Sequence, residues 1–124
     1  MVKTIKIDDV EYVRKEDLVK QADSLDGLEL VMIRSYASGV FYGYLKEKKA
    51  ELNGVNITLV NARRIHYWDG ACSLTQLAID GTVAPTNCRI TDAITSQWIA
   101  NVIEILPISN KSQKILDGVK PWKK

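Results

Sequence analysis

The feature that most restricts the fold of this chain is Asn53-Gly54, set between two long runs that alternate apolar and polar residues. Asn-Gly tolerates the positive φ angles of a two-residue turn, and such turns join antiparallel strands. Upstream, residues 40–52 place Phe41, Gly43 and Leu45 on one face and Val40, Tyr42 and Tyr44 on the other. Downstream, Val55, Ile57 and Leu59 alternate with Asn56 and Thr58, so the first half of residues 55–68 reads as a half-buried strand. Asn61-Ala62 suggests a bulge that re-aims the second half. A long hairpin is thus the seed of the fold. Ahead of it, residues 28–36 centre on Leu30-Val31-Met32-Ile33, a continuously apolar run expected of a strand covered on both sides.

The remaining segments add little helix. Ser73-Leu-Thr-Gln76 has the form of a capping box, Leu74, Leu77 and Ala78 share a helical face, and Gly81 offers a stop, which predicts a helix from Ser73 to Asp80. Residues 82–96 read as a polar loop with at most a short strand at 88–90. A strand follows over 97–108, and Ser109 caps a short helix closed by Gly118. Residues 1–26 read as an appendage holding a very short hairpin, one or two helical turns over 15–23 and a linker at Asp23-Ser-Leu-Asp-Gly27. Residues 27–118 form a single β-rich domain, and 119–124 a solvated basic tail. The expected fold is mainly β: a small, strongly bent antiparallel sheet or SH3/Sm-like barrel with one short inserted helix and a short C-terminal helix.

Composition narrows the function. At 124 residues and 46% hydrophobic, the chain can build one core without disulfides. Cys72 and Cys88 have no paired spacing, and the N-terminus lacks the apolar stretch of a signal peptide, so a reduced, cytoplasmic protein is expected. No apolar run approaches the roughly 18 residues of a membrane span. A net charge of +2 does not favour a protein that grips duplex nucleic acid by its phosphates.

Chemistry concentrates in Arg63-Arg-Ile-His-Tyr-Trp68. In an extended chain Arg63, Ile65 and Tyr67 face one way and Arg64, His66 and Trp68 the other, so each face carries a cation and a ring. Such a surface suits flat or anionic partners, because guanidinium pairs bidentately with phosphate and stacks on rings. Arg34, Tyr36, Arg63, Arg64, Tyr67, Trp68, Ser73 and Gln76 make up the candidate ligand-binding set. The same residue types serve oligomer interfaces, so a ligand pocket and a subunit contact are rival uses. At least one of Arg63 and Arg64 is expected to reach solvent or a pocket, and their joint loss to cost little stability. The single His66 has no second histidine and no adjacent nucleophile, phosphate loops and zinc spacings are absent, and neither catalysis, a metal nor a cofactor is expected.

Three stretches carry a family resemblance: Arg34-Ser-Tyr-Ala-Ser-Gly39-Val-Phe-Tyr-Gly43-Tyr-Leu45, Asn61-Ala-Arg-Arg-Ile-His-Tyr-Trp68-Asp-Gly-Ala-Cys-Ser73-Leu-Thr-Gln76-Leu-Ala, and Ala100-Asn-Val-Ile-Glu-Ile-Leu-Pro-Ile-Ser109. They resemble a family of small uncharacterised proteins of tailed phages and prophages, classed as a domain of unknown function. Ile7-Asp-Asp-Val-Glu-Tyr-Val-Arg-Lys15 is similar to the front segment of such proteins. The resemblance implies phage origin and a place in the host cytoplasm, not a chemistry. The expected function is an accessory binding protein without catalysis that sequesters a nucleotide-type anion or blocks a host defence factor. The alternatives are a virion structural or assembly component and a small-barrel RNA- or DNA-binding protein. The expected partners are a second copy of the chain, most simply as a dimer, and a small anionic ligand or host protein; nucleic acid is less favoured.

Overall fold

The computed structural model describes residues 20–52 and 54–124 in full, and the backbone of 4–7 and 10–13. Strands β1 (Thr4–Ile7) and β2 (Val10–Val13) pair antiparallel as the short hairpin expected. Five further strands, β3 (Leu30–Ser35), β4 (Gly39–Glu51), β5 (Gly54–Tyr67), β6 (Arg89–Ile90) and β7 (Ile94–Pro107), form one antiparallel sheet in the order β4-β3-β7-β5-β6. Because β4 also pairs with β5, the sheet returns on itself as a partly closed ring, with β6 on an edge of β5. Helices α1 (Leu74–Asp80) and α2 (Asn110–Asp117) complete a mainly β fold.

Bulges bend the long strands enough to meet. Pairing of β4 with β5 steps from Tyr42↔Arg63 to Tyr44↔Val60, so β5 holds one residue more than its partner, and Asn61 lies there with φ 53. That is the bulge expected at Asn61-Ala62. Asn101 adopts φ 53 where β7 gains a residue between Ile99 and Val102 against β5. Asparagine takes this left-handed conformation more readily than most residues, and an unpaired residue kinks and twists its strand. Gly43 lies across from the first bulge, where a Cβ would come within 3.1 Å of both the Ala62 Cα and the Val60 oxygen.

Alternation along the bent strands makes two cores. Val31, Ile33, Phe41, Ile57, Leu59 and Ile99 fill the inside of the ring. Leu30, Met32, Val40, Tyr42 and Ile65 face outward, where Leu74, Leu77 and Ala78 of α1 and Leu116 of α2 cover them. The continuous apolar run of β3 thus serves both cores. Tyr42, 2% exposed, belongs to the outer core and Tyr44 packs against it.

Both helices carry the expected caps. The Ser73 hydroxyl accepts from Gln76 N, while Gln76 Oε1 accepts from Cys72 N; the Ser109 hydroxyl accepts from Ser112 N. Ser109 Oγ also donates to the Ile79 carbonyl, and Ser112 Oγ donates to the Leu77 carbonyl at 2.6 Å, which clamps the two helices together.

Several boundaries differ from the sequence expectation. Glu51 pairs with Gly54, so Gly54 begins β5 instead of completing the turn, and Asn53 lies outside the described residues. The last strand starts at Ile94 because Ile94 pairs with Ala62. Asp26 and Gly27, read as part of a linker, form a tight turn with φ 51 and 79 closed by two hydrogen bonds between Leu25 and Leu28. Ahead of it Ala22 N donates to the Ile108 oxygen, and Asn110 N to the Lys20 oxygen; the helical turns expected over 15–23 fall partly outside the described residues, and Lys20–Asp23 is not helical. At the other end Trp122 N donates to the Ile90 oxygen and Lys123 pairs with Asp92, so the basic tail lies along β6.

Candidate functional site

The arginine pair divides by environment. Arg63 is 7% exposed on the outer face, and its guanidinium is occupied: Nε donates to the Thr91 oxygen at 2.6 Å, Nη1 to the Tyr42 hydroxyl and the Leu116 oxygen, and Nη2 to the Val119 oxygen, each at 2.9 Å. Tyr42 in turn donates to Asp117 Oδ1 at 3.0 Å. Burial holds the Tyr42 proton far above the ordinary phenol range, against the opposing pull of the Arg63 charge. Arg63 is thus not the member of the pair that reaches solvent, because main-chain carbonyls of β6's flank, α2 and the tail take up its donors. Arg64 projects to the inner face with its guanidinium carbon 4.7 Å from the Phe41 ring centre, half-buried.

The other expected residues scatter. Arg34 pairs with Glu104 at 3.0 Å on the outer face, and Tyr36 is 82% exposed beyond the end of β3. Ser73 and Gln76 are spent on the α1 cap. Trp68 packs against the outer core with Nε1 donating to the Ala71 oxygen at 3.3 Å. Strict alternation placed it with Arg64, but the register shifts between Ile65↔Ile90 and Tyr67↔Arg89 and β5 ends at Tyr67, which frees Trp68 to turn back.

Tyr67 alone of the expected set enters a cleft with chemistry. This opening of about 380 Å³ is lined by Tyr67, Asp69, Thr86, Asn87, Cys88, Arg89 and Trp122. Pairing of β5 with β6 sets Arg89 opposite Tyr67, and the bond from Trp122 N to Ile90 brings the tail ring to the other side. The Arg89 guanidinium carbon consequently sits 5.9 Å from the Tyr67 ring centre and 5.4 Å from that of Trp122. His66 meets Trp122 edge-on at 5.2 Å between centres. Both Tyr67 and Trp122 remain half exposed, and Arg89 forms no ion pair among the described residues.

On the far wall Asp69 is held from both ends. Its carbonyl accepts from the Thr82 hydroxyl, its Oδ1 from Gly70 N at 2.8 Å and its Oδ2 from Asn87 Nδ2 at 3.2 Å. Gly70 makes this approach possible: its φ is 82, and a Cβ would come within 2.5 Å of Ala84 N. Residues 28–116 match the family model described as a domain of unknown function, DUF6948. The chain belongs to this family. No curated protein and no solved structure matches it. The DUF6948 match takes in Tyr67, Asp69, Asn87 and Arg89, whereas Trp122 lies beyond it.

Sequence reasoning did not single out Arg89, Asn87, Asp69 or Trp122 as site residues. Two signals were available. Arg89 is the sole basic residue of 82–96, and Trp122 is a single ring in a lysine-rich tail.

Proposed function

We propose that this DUF6948 protein is a non-catalytic accessory protein that binds a nucleotide-type anion in the cleft of Tyr67, Arg89 and Trp122. The carrying observation is Arg89: a guanidinium flanked by two half-exposed rings, without a carboxylate partner among the described residues. The rings orient the cation at about 0.5–1 kcal/mol each, while its hydrogen-bonding edge stays open to a phosphate. Stacking a base adds roughly 1–3 kcal/mol, and phosphate pairing raises the total to the range of millimolar to micromolar dissociation constants. The phage resemblance of the Asn61–Ala78 motif supports an origin in a phage genome and action in the host cytoplasm, where such a protein sequesters a nucleotide signal. Mass spectrometry of small molecules released from the purified protein tests this reading. A bound nucleotide that is absent from Arg89→Ala supports it; equal nucleotide content in the two proteins overturns it.

A second surface favours self-association. From Gly54 to Ala62 on β5 and from Ala93 to Ile103 along β7 there is no charged residue, in a chain that is 26% charged. Trp98, 64% exposed, stands at the centre of the paired outer faces beside Thr58, and neither helix packs there. Interface cores are depleted in charge and enriched in aromatics, and a neutral patch meets its own copy without burying an unpaired ion. We therefore propose a two-fold dimer through this face.

A further inference from the structure

Arg89 and Asp69 line the same cleft and do not pair. Opposite charges at the edge of one opening ordinarily close on each other. Here each is held by its own neighbours: Arg89 by strand pairing and two rings, Asp69 by Gly70 N, Asn87 Nδ2 and the clamp on its carbonyl. The space between suits a ligand that brings an anion to one and hydrogen-bond donors to the other. A quaternary ammonium, the usual guest of an aromatic wall with a carboxylate, is disfavoured because Arg89 already holds the cationic position.

We infer that the cleft selects guanine, as the base of a free mononucleotide, with the phosphate on Arg89 and the base edge on Asp69. The inference rests on the nucleotide reading of the cleft and adds the identity of the base. Each Asp69 oxygen accepts one hydrogen bond from the protein and keeps capacity for a second. Guanine offers two adjacent donors, N1–H and the N2 amino group, which match a carboxylate in two parallel bonds. Adenine and cytosine each set one amino donor beside a ring-nitrogen acceptor, and uracil sets one N–H between two carbonyls. In those three bases a lone pair faces a carboxylate oxygen, and a site built around donors rejects ligands that lack them.

The test is calorimetric titration of the full chain with GMP, AMP, CMP, UMP and inosine monophosphate. GMP is expected to bind at least about tenfold tighter than AMP, CMP or UMP, with inosine monophosphate between because it lacks the N2 amino group. Asp69→Asn should lower GMP affinity about tenfold and narrow or reverse its margin over AMP, because the amide sets a donor opposite adenine's ring-nitrogen acceptor. The inosine comparison uses the unaltered protein, so it decides the matter if Asp69→Asn does not fold. Equal binding of GMP, AMP, CMP and UMP, or of GMP and inosine monophosphate, overturns guanine selection and leaves the nucleotide cleft standing. No binding of any of them at about 1 mM overturns both. A single-stranded RNA tetramer with one guanine that binds where GMP does not overturns the free nucleotide as source.

Discussion

Arg63→Ala should destabilise the protein far more than an exposed arginine would. The side chain makes four hydrogen bonds, three to main-chain carbonyls of Thr91, Leu116 and Val119 and one to the Tyr42 hydroxyl. A hydrogen bond to a charged group contributes roughly 1.5–3 kcal/mol, but the four share one desolvated cation and do not add. Carbonyls near the end of α2 also regain water when the guanidinium is gone. Removal of one member from a buried charged network costs about 3–5 kcal/mol, and that is the magnitude expected. With a urea slope of about 1–2 kcal/mol/M for a small domain, the midpoint should fall by about 1.5–5 M in a titration followed by circular dichroism. Arg63→Lys should recover about half, since one ammonium cannot span acceptors that a planar fork reaches together. Arg64→Ala, which removes chiefly a contact with the Phe41 ring, should cost about 1 kcal/mol. A midpoint shift under ~0.5 M for Arg63→Ala would refute the structural role.

Three further outcomes are expected. Tyr42 is raised above its ordinary pKa, first by burial, so the folded state keeps a proton that the unfolded chain loses above about pH 10; stability should be intact below that pH and fall as pH rises beyond it. A flat urea midpoint between pH 9 and 11, at about these values, would contradict this. Gly70→Ala forces a side chain into positive φ against Ala84 N and should cost about 2–4 kcal/mol, read as a lower melting temperature; an unchanged melt sinks the account of the Asp69 loop. Trp98→Glu buries a charge in the proposed dimer face, so light scattering should report a monomer; the same oligomeric mass in both proteins removes that interface.

Much of the fold was legible because β alternation is a local property. The faces of β4, the apolar run of β3, the Asn61-Ala62 bulge and both serine caps depend on residues within a few positions of one another, and each is found where the sequence pointed. The site was less legible because burial is not local. Whether Arg63 or Arg64 faces solvent depends on α2 and the tail, whose Leu116 and Val119 carbonyls lie more than fifty residues away in sequence. Arg89 sits in a two-residue strand whose pairing with Tyr67 no periodicity could announce. The Asp26-Gly27 turn differs again: Asp-Gly is a turn signal, but it ends the polar run Asp23-Ser-Leu-Asp-Gly27, which reads as a linker as a whole.

The fold and the candidate site meet at the tail. Arg63 holds the Val119 carbonyl, and three residues later Trp122 bonds to Ile90 and closes the cleft over Arg89. One ring of the cleft is thus placed through a hydrogen bond made by a buried arginine on the far side of β6. Arg63→Lys, which keeps the charge and part of the bonding, should therefore loosen Trp122 in a protein that remains folded. The expected signs are faster amide exchange at Trp122 and weaker nucleotide binding, with β5 and β7 exchange unchanged. Removal of residues 121–124 should reproduce the binding loss while sparing the two cores, because neither core draws on those residues. If the truncated chain binds as well as the intact one, Trp122 is a bystander and the cleft reduces to Tyr67 and Arg89. If binding falls with the truncation but not with Arg63→Lys, the bond to Ile90 is sufficient to place the ring, and Arg63 serves stability alone.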